Sequence, residues 1–173
     1  MNKEKFMQSD VALYGMLASV ALVMGYIESL IPIPYPVYGM KIGLANIVIV
    51  WVLYTINIKA AGTISLVRIL LAGFLFGNLY SIIFSLAGAG LSLAIMWLLK
   101  KTEKFTIVGV SIAGGVCHNL GQIIVAVIVL ENIRIASIFP FLMVSGVVSG
   151  IAIGLLGGLL FKKIKILQTN VHL

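Results

Sequence analysis

The side chains able to do chemistry are few in this sequence, and they cluster. His118, Asn119 and Gln122 fall in one short stretch, Arg68 stands alone inside an apolar run, and Glu28, Lys41 and Asn46 bracket a proline-rich segment. On a helix, His118 and Gln122, four apart, share a face that Asn119, three before Gln122, overlaps. One imidazole and two amides supply directional hydrogen bonds, and a lone guanidinium supplies an anchor for an anion. This is the chemistry of recognition. Glu131 and Arg134, three apart near a helix end, read either as a surface ion pair or as part of a cavity mouth.

Other chemistries lack their residues. Gly39-Met40-Lys41-Ile42-Gly43 lacks the Gly-Lys-Ser/Thr ending of a phosphate-binding P-loop. Asp10 is the only aspartate, so the paired aspartates that hold Mg²⁺ against a diphosphate are missing. His, Cys and carboxylates show no metal-ligand spacing, and the single Cys117 excludes an internal disulfide. No nucleophile–base pair is recognisable. The expectation is a chain with no catalytic activity, cofactor or metal of its own.

The elements that must position these groups follow from composition. Of 173 residues, 61% are hydrophobic and 10% charged, too little charge to cover a soluble domain of this size. Mean hydropathy is +1.18, and the apolar residues come in blocks, several of them long enough to cross a hydrocarbon layer of roughly 30 Å. The blocks predict helices over Val11–Leu30, Leu44–Ile56, Ala60–Phe76, Tyr80–Leu99, Ile107–Leu130 and Ile138–Phe161. All are expected to be helical because unpaired backbone groups in lipid cost several kcal/mol. The second and third are short, so they are expected to be thin, tilted or sheltered by neighbours. The expected fold is all-α: a six-helix membrane bundle forming one domain. The polar start, Met1–Asp10, and the long apolar run behind it do not fit a cleavable signal peptide.

Charge sets the expected orientation. With the N-terminus inside, Lys3, Lys5, Lys59, Lys100, Lys101, Lys104, Lys162, Lys163 and Lys165 face the cytoplasm, and only Lys41 and Arg134 lie outside. Both termini are then cytoplasmic and the location is the cell membrane. The net charge of +7 is mostly a topology signal that also favours anionic lipid headgroups. The basic residues flank helices and form no arginine cluster, so no nucleic-acid partner is expected.

At a helical rise of about 1.5 Å per residue, Arg68 lies about 14 Å from Lys59, and His118 about 17 Å from Ile107. Both depths are near the bilayer centre, where an arginine facing lipid costs at least about 2.5–3.5 kcal/mol. Arg68 should point inward, either tied to helix-end carbonyls or to Glu28, or serving a ligand. His118 is either a helix–helix hydrogen bond or a ligand contact, and the neighbouring amides favour the second. The simplest packing gathers Arg68, His118, Asn119, Gln122, Asn46, Lys41 and Glu28 around an outward-opening polar cavity. The segment Ile31-Pro32-Ile33-Pro34-Tyr35-Pro36-Val37-Tyr38 is stiff and extended. Its Tyr35 and Tyr38 read equally as a lid and as interfacial anchors.

Small residues recur at intervals of four: Gly15 and Ser19, Ala21 and Gly25, Ala113, Cys117 and Gly121, and Gly146, Gly150, Gly154 and Gly158. Such ridges let helices approach closely, within the bundle or against a partner.

Gly39-Met40-Lys41-Ile42-Gly43-Leu44-Ala45-Asn46 resembles the signature of the Gx transporter family, also labelled heptaprenyl diphosphate synthase component I. Further matches are Arg68-Ile69-Leu70-Leu71 through Leu75-Phe76-Gly77, Ser85-Leu86-Ala87-Gly88, and His118-Asn119-Leu120-Gly121-Gln122. That family is similar in size and helix count to the substrate-binding S components of energy-coupling factor transporters. The resemblance implies capture of a small molecule from outside, with a transmembrane coupling protein and two ATPase subunits as partners. ATP would then be used by the partners, and Ala12, Gly15 and Ser19 of helix 1 would dock the coupling protein. The implied ligand is isoprenoid- or quinone-related, or vitamin-like such as a flavin. The family's second label implies an alternative: a noncatalytic membrane subunit associated with a prenyl diphosphate synthase.

Overall fold

The computed structural model describes residues 3–30 and 43–171, with side chains described for 11–30 and 43–163. Lys41, Tyr35 and Tyr38, and with them the expected lid, lie outside the described residues. The chain forms helices α1 (Lys3–Leu30), α2 (Leu44–Thr55), α3 (Ile58–Phe76), α4 (Leu79–Lys101), α5 (Ile107–Val129) and α6 (Phe139–Val171). A 3-10 segment, Ile133–Ile138, leads into α6, and no strand occurs among the described residues. The protein is an all-α membrane bundle. α1 starts at Lys3 rather than Val11, and α6 runs on to Val171 rather than ending at Phe161. The apolar block marks the part of a helix that suits lipid, whereas the backbone ladder continues into the polar residues at either end.

Five stretches are long and apolar enough to cross a membrane: Val11–Leu30, Ile58–Phe76, Leu79–Lys101, Ile107–Val129 and Ile133–Lys163. α2 is not one of them. Its 12 residues span about 18 Å, well short of a roughly 30 Å hydrocarbon layer. The helix survives because its neighbours replace lipid: it packs against α1, α3 and α6, and Ala45, Ile47, Val48, Ile49, Val50, Val52 and Leu53 are buried. These residues form most of the central core with Leu17, Ala18 and Ala21 of α1, Ala60, Ala61 and Ile64 of α3, and Ile153 of α6. Large apolar side chains such as Val11, Met16, Phe74, Ile128, Val144 and Leu159 stay exposed on the outer helices, as a lipid-facing surface requires.

Local chemistry explains where three of the six helices begin. Asn57 caps α3 by accepting from the Ala60 amide at 2.8 Å. Asn78 and Ser81 form a reciprocal capping box at the start of α4, at 2.8 and 3.0 Å. Thr106 accepts from the Gly109 amide at 3.1 Å to open α5. The start of α2 is different. Its capping position is Gly43, held at φ 79°, a conformation that glycine adopts without strain and that offers no side-chain acceptor. The cap comes from another helix. Glu28 of α1 is 5% exposed, and its carboxylate accepts from the Gly43 amide at 2.6 Å and the Leu44 amide at 3.1 Å. At the other end of α2, Lys100 of α4 donates to the Leu53 carbonyl at 2.6 Å while lying over the Tyr54 ring. A carboxylate at the amide end and an ammonium at the carbonyl end both complement the helix dipole.

The α5–α6 contact is a backbone seam. A Cβ added at Gly146 would lie 2.9 Å from the Gly115 carbonyl and the Val116 amide. One at Gly150 would lie 2.5 Å from the Ile112 Cα, and one at Gly154 would lie 2.6 Å from the Val108 Cα. Gly158, the fourth of the series, has open space around it. Gly121 of α5 presses likewise on Ala87 and Gly88 of α4, and Gly25 of α1 meets Ala45 at 3.8 Å. Ala12, Gly15 and Ser19 face outward, with nothing within 4 Å of a Cβ at Gly15.

Two stability predictions follow from these contacts. Gly146→Ala should cost about 1–3 kcal/mol through forced separation of α5 and α6, whereas Gly158→Ala should be neutral or gain about 0.5–1 kcal/mol. Unfolding in detergent, followed by circular dichroism, compares the two. Glu28→Ala should lose roughly 2–4 kcal/mol, because charge-assisted bonds are worth about 1.5–3 kcal/mol each and water replaces them only in part. Glu28→Gln, with one acceptor oxygen instead of two, should fall between the wild type and Glu28→Ala in the same measurement.

Candidate ligand-binding site

Beside the amide end of α2 lies a cavity of about 320 Å³. α1 contributes Glu28, α2 contributes Gly43, Ala45 and Asn46, and α3 contributes Arg68. α4 contributes Ser81, Phe84 and Ser85, and α5 contributes Gly115, His118, Asn119, Gln122, Ile123 and Ala126. The 3-10 segment adds Ile135 and Ile138, and α6 adds Leu142, Ser149 and Ile153. Six of the residues that the sequence singles out therefore share one cavity: Glu28, Asn46, Arg68, His118, Asn119 and Gln122.

Their situations differ. Both oxygens of Glu28 are engaged by α2 amides. Arg68 feels the Glu28 charge, but its Nε is buried without a hydrogen-bond partner among the described residues. Such a donor is costly in a low-dielectric interior unless something accepts from it. Asn119 donates from Nδ2 to the Leu142 carbonyl at 2.7 Å, tying α5 to α6 and leaving Oδ1 as the amide's remaining acceptor. His118 and Gln122 reach the cavity past Gly88 of α4. A Cβ there would come within 2.7 Å of the His118 carbonyl oxygen, 2.9 Å of the Gln122 Cγ and 3.1 Å of the His118 Cε1. Asn46 lies over Gly43, where a Cβ would stand 3.2 Å from its Nδ2.

Glu131 and Arg134 do not line the cavity. Both are exposed, and an ion pair between them is not among the contacts of the described residues. Arg134 is held instead by its backbone: its amide donates to Asn132 Oδ1 at 3.1 Å and its carbonyl accepts from Ser137 Oγ at 2.7 Å. The hydroxyl wall of Ser81 and Ser85, with Phe84 beside them, escapes a reading of charged and amide residues. Its signal is the four-residue spacing of the two serines on the helix that faces His118 and Gln122.

The wall thus offers one guanidinium, three carboxamides, an imidazole and hydroxyls, set among Phe84, Ile123, Ile135, Ile138, Leu142 and Ile153. Apolar lining with a few convergent polar groups is the ordinary build of a small-molecule site. No group of three or more His, Cys, Asp or Glu side chains placed to hold a metal ion occurs among the described residues.

No curated protein and no solved structure gives a significant match to this sequence. A family model described as heptaprenyl diphosphate synthase component I matches residues 17–160, a stretch that holds every cavity-lining residue. By that match the chain belongs to the heptaprenyl diphosphate synthase component I family.

Proposed function

We propose that this protein is a membrane subunit that binds a small molecule for transport, in the manner of the S components of energy-coupling factor transporters. The observation that carries the reading is the convergence of polar side chains from all six helices on one cavity that contains the buried Nε of Arg68, without a hydrogen-bond partner among the described residues. In this reading Arg68 anchors an anionic group of the ligand, and His118, Asn119, Gln122 and Asn46 orient the rest. Glu28 holds α2 in place; the assignment of Lys41 to the entrance, and of Tyr35 and Tyr38 to a lid, comes from the sequence alone. The lysine asymmetry supports cytoplasmic termini and a cavity that opens outward. The outward-facing Ala12, Gly15 and Ser19 of α1 suit close approach of a transmembrane coupling protein, with ATP hydrolysed by two further subunits. An isoprenoid- or quinone-related compound, or a flavin-like one, is the proposed cargo.

The family's description supports a second reading, a noncatalytic membrane subunit of a prenyl diphosphate synthase. Co-purification with a soluble prenyl synthase rather than with ATPases would favour it. Under the transport reading, Arg68→Ala should insert normally in the membrane yet lose ligand binding or uptake about tenfold or more, because a charge-assisted bond of about 1.5–3 kcal/mol disappears. Native mass spectrometry of gently purified wild type and variant, with cell uptake alongside, makes the comparison. Uptake equal to wild type would remove Arg68 from the site.

A further inference from the structure

The polar inventory of the cavity also restricts what can fill it. Resting on the binding function proposed above, we propose that the ligand is a compact molecule whose head carries a single negative charge, and not a polyprenyl diphosphate.

The charge balance comes first. Glu28 and Arg68 are the carboxylate and the guanidinium on the cavity wall among the described residues. Glu28 is committed to the first amides of α2, and a helix N-terminus is equivalent to roughly half a positive charge. The Glu28 charge is thus met partly by α2 and partly by Arg68, whose guanidinium it attracts. Over the described residues, one guanidinium, one carboxylate and about half a charge from α2 sum to about half a unit positive. One carboxylate or similarly charged head brings the chamber near neutrality and gives the Arg68 Nε an acceptor. A diphosphate, with at least two charges, would leave net negative charge in a low-dielectric site, where each uncompensated ion costs several kcal/mol.

Volume points the same way. The cavity offers about 320 Å³. It sits at the low end of the roughly 300–1,000 Å³ of small-molecule sites. A chain of several isoprene units with its diphosphate would have to run out through the cavity's open side. The carboxamides of Asn46 and Gln122 and the Asn119 Oδ1 offer both donors and acceptors, so the body of the ligand presents hydrogen-bonding atoms close to its charged head. Phe84, Ile123 and Ile138 face its apolar side.

The test uses defined probes on the full-length protein in detergent at constant ionic strength. Thermal unfolding is followed with acetate, benzoate, pyrophosphate and farnesyl diphosphate, each against chloride. Acetate or benzoate should raise the midpoint by a few degrees in wild type, as binding to the folded state alone does. The shift should vanish in Arg68→Gln and return in part in Arg68→Lys, which also serves if the glutamine variant does not fold. The diphosphates should shift the midpoint no further than the monoanions. A larger shift with pyrophosphate or farnesyl diphosphate overturns the single-charge assignment, as does a monoanion shift that persists in Arg68→Gln or no monoanion shift in wild type. If Arg68→Ala abolishes uptake while diphosphates bind best, the binding function stands and this ligand class falls. If the monoanion shift depends on Arg68 while uptake does not, the ligand class stands and the transport role falls.

Discussion

The bundle depends on how a helix too short to cross a membrane is ended inside one. α2 exposes unpaired amides at its start and unpaired carbonyls at its finish, where water is scarce and no side chain of its own serves as a cap. Glu28 from α1 closes one end and Lys100 from α4 closes the other. The first contact ties α2 to the helix before it and the second to α4, 47 residues on, so capping α2 also sets the relative heights of α1, α2 and α4. The binding chamber inherits its floor from this arrangement. The backbone at Gly43 and the side chains of Asn46 and Glu28 stand where they do because α2 begins there.

Arg68 then takes its meaning from what surrounds it. In an isolated helix it would be an expensive cation in lipid. Here it shares a chamber with a carboxylate already engaged by backbone amides, and its Nε has no acceptor among the described residues. The arrangement differs from a structural salt bridge, in which carboxylate and guanidinium oxygens and nitrogens satisfy one another directly. Glu28 fixes the scaffold, and in the proposed reading Arg68 is the cation that meets an incoming group.

Much of this was legible in the residues themselves. Apolar blocks located the helices because lipid imposes a length on each crossing, and the polar exceptions within them, Arg68 and His118 among them, fall on the wall of one cavity. What the sequence concealed arises from tertiary contact. Glu28 reads as a charge balancing nearby cations, and only the packing of α1 against α2 turns it into a cap, although Gly43 at a helix start was a sign that the cap had to come from elsewhere. α2 reads as a sixth crossing by composition, because a core helix and a lipid-facing helix are equally apolar. Ser81 and Ser85 are ordinary helix residues until α4 is seen to face α5. The glycine ridge of α6 predicted close approach for four positions, and the structure uses three, since the seam runs out before Gly158.

The seam also divides the molecule mechanically. α5 and α6 touch through their main chains at Gly115, Gly146, Gly150 and Gly154, and α4 meets α5 the same way at Gly88 and Gly121. Main-chain contacts have no rotamers to absorb a displacement, so α4, α5 and α6 behave as a single stiff plate. α1, α2 and α3 meet partly through longer side chains such as Leu17, Val48, Leu53 and Ile64, which have rotamers with which to repack, while the Glu28 cap holds α1 and α2 in register. The chamber lies where the plate meets these three helices, with Arg68 on one side and His118 and Gln122 on the other. A molecule held by both would act as a latch between them, so filling the chamber and fixing the shape of the protein in the membrane become one event.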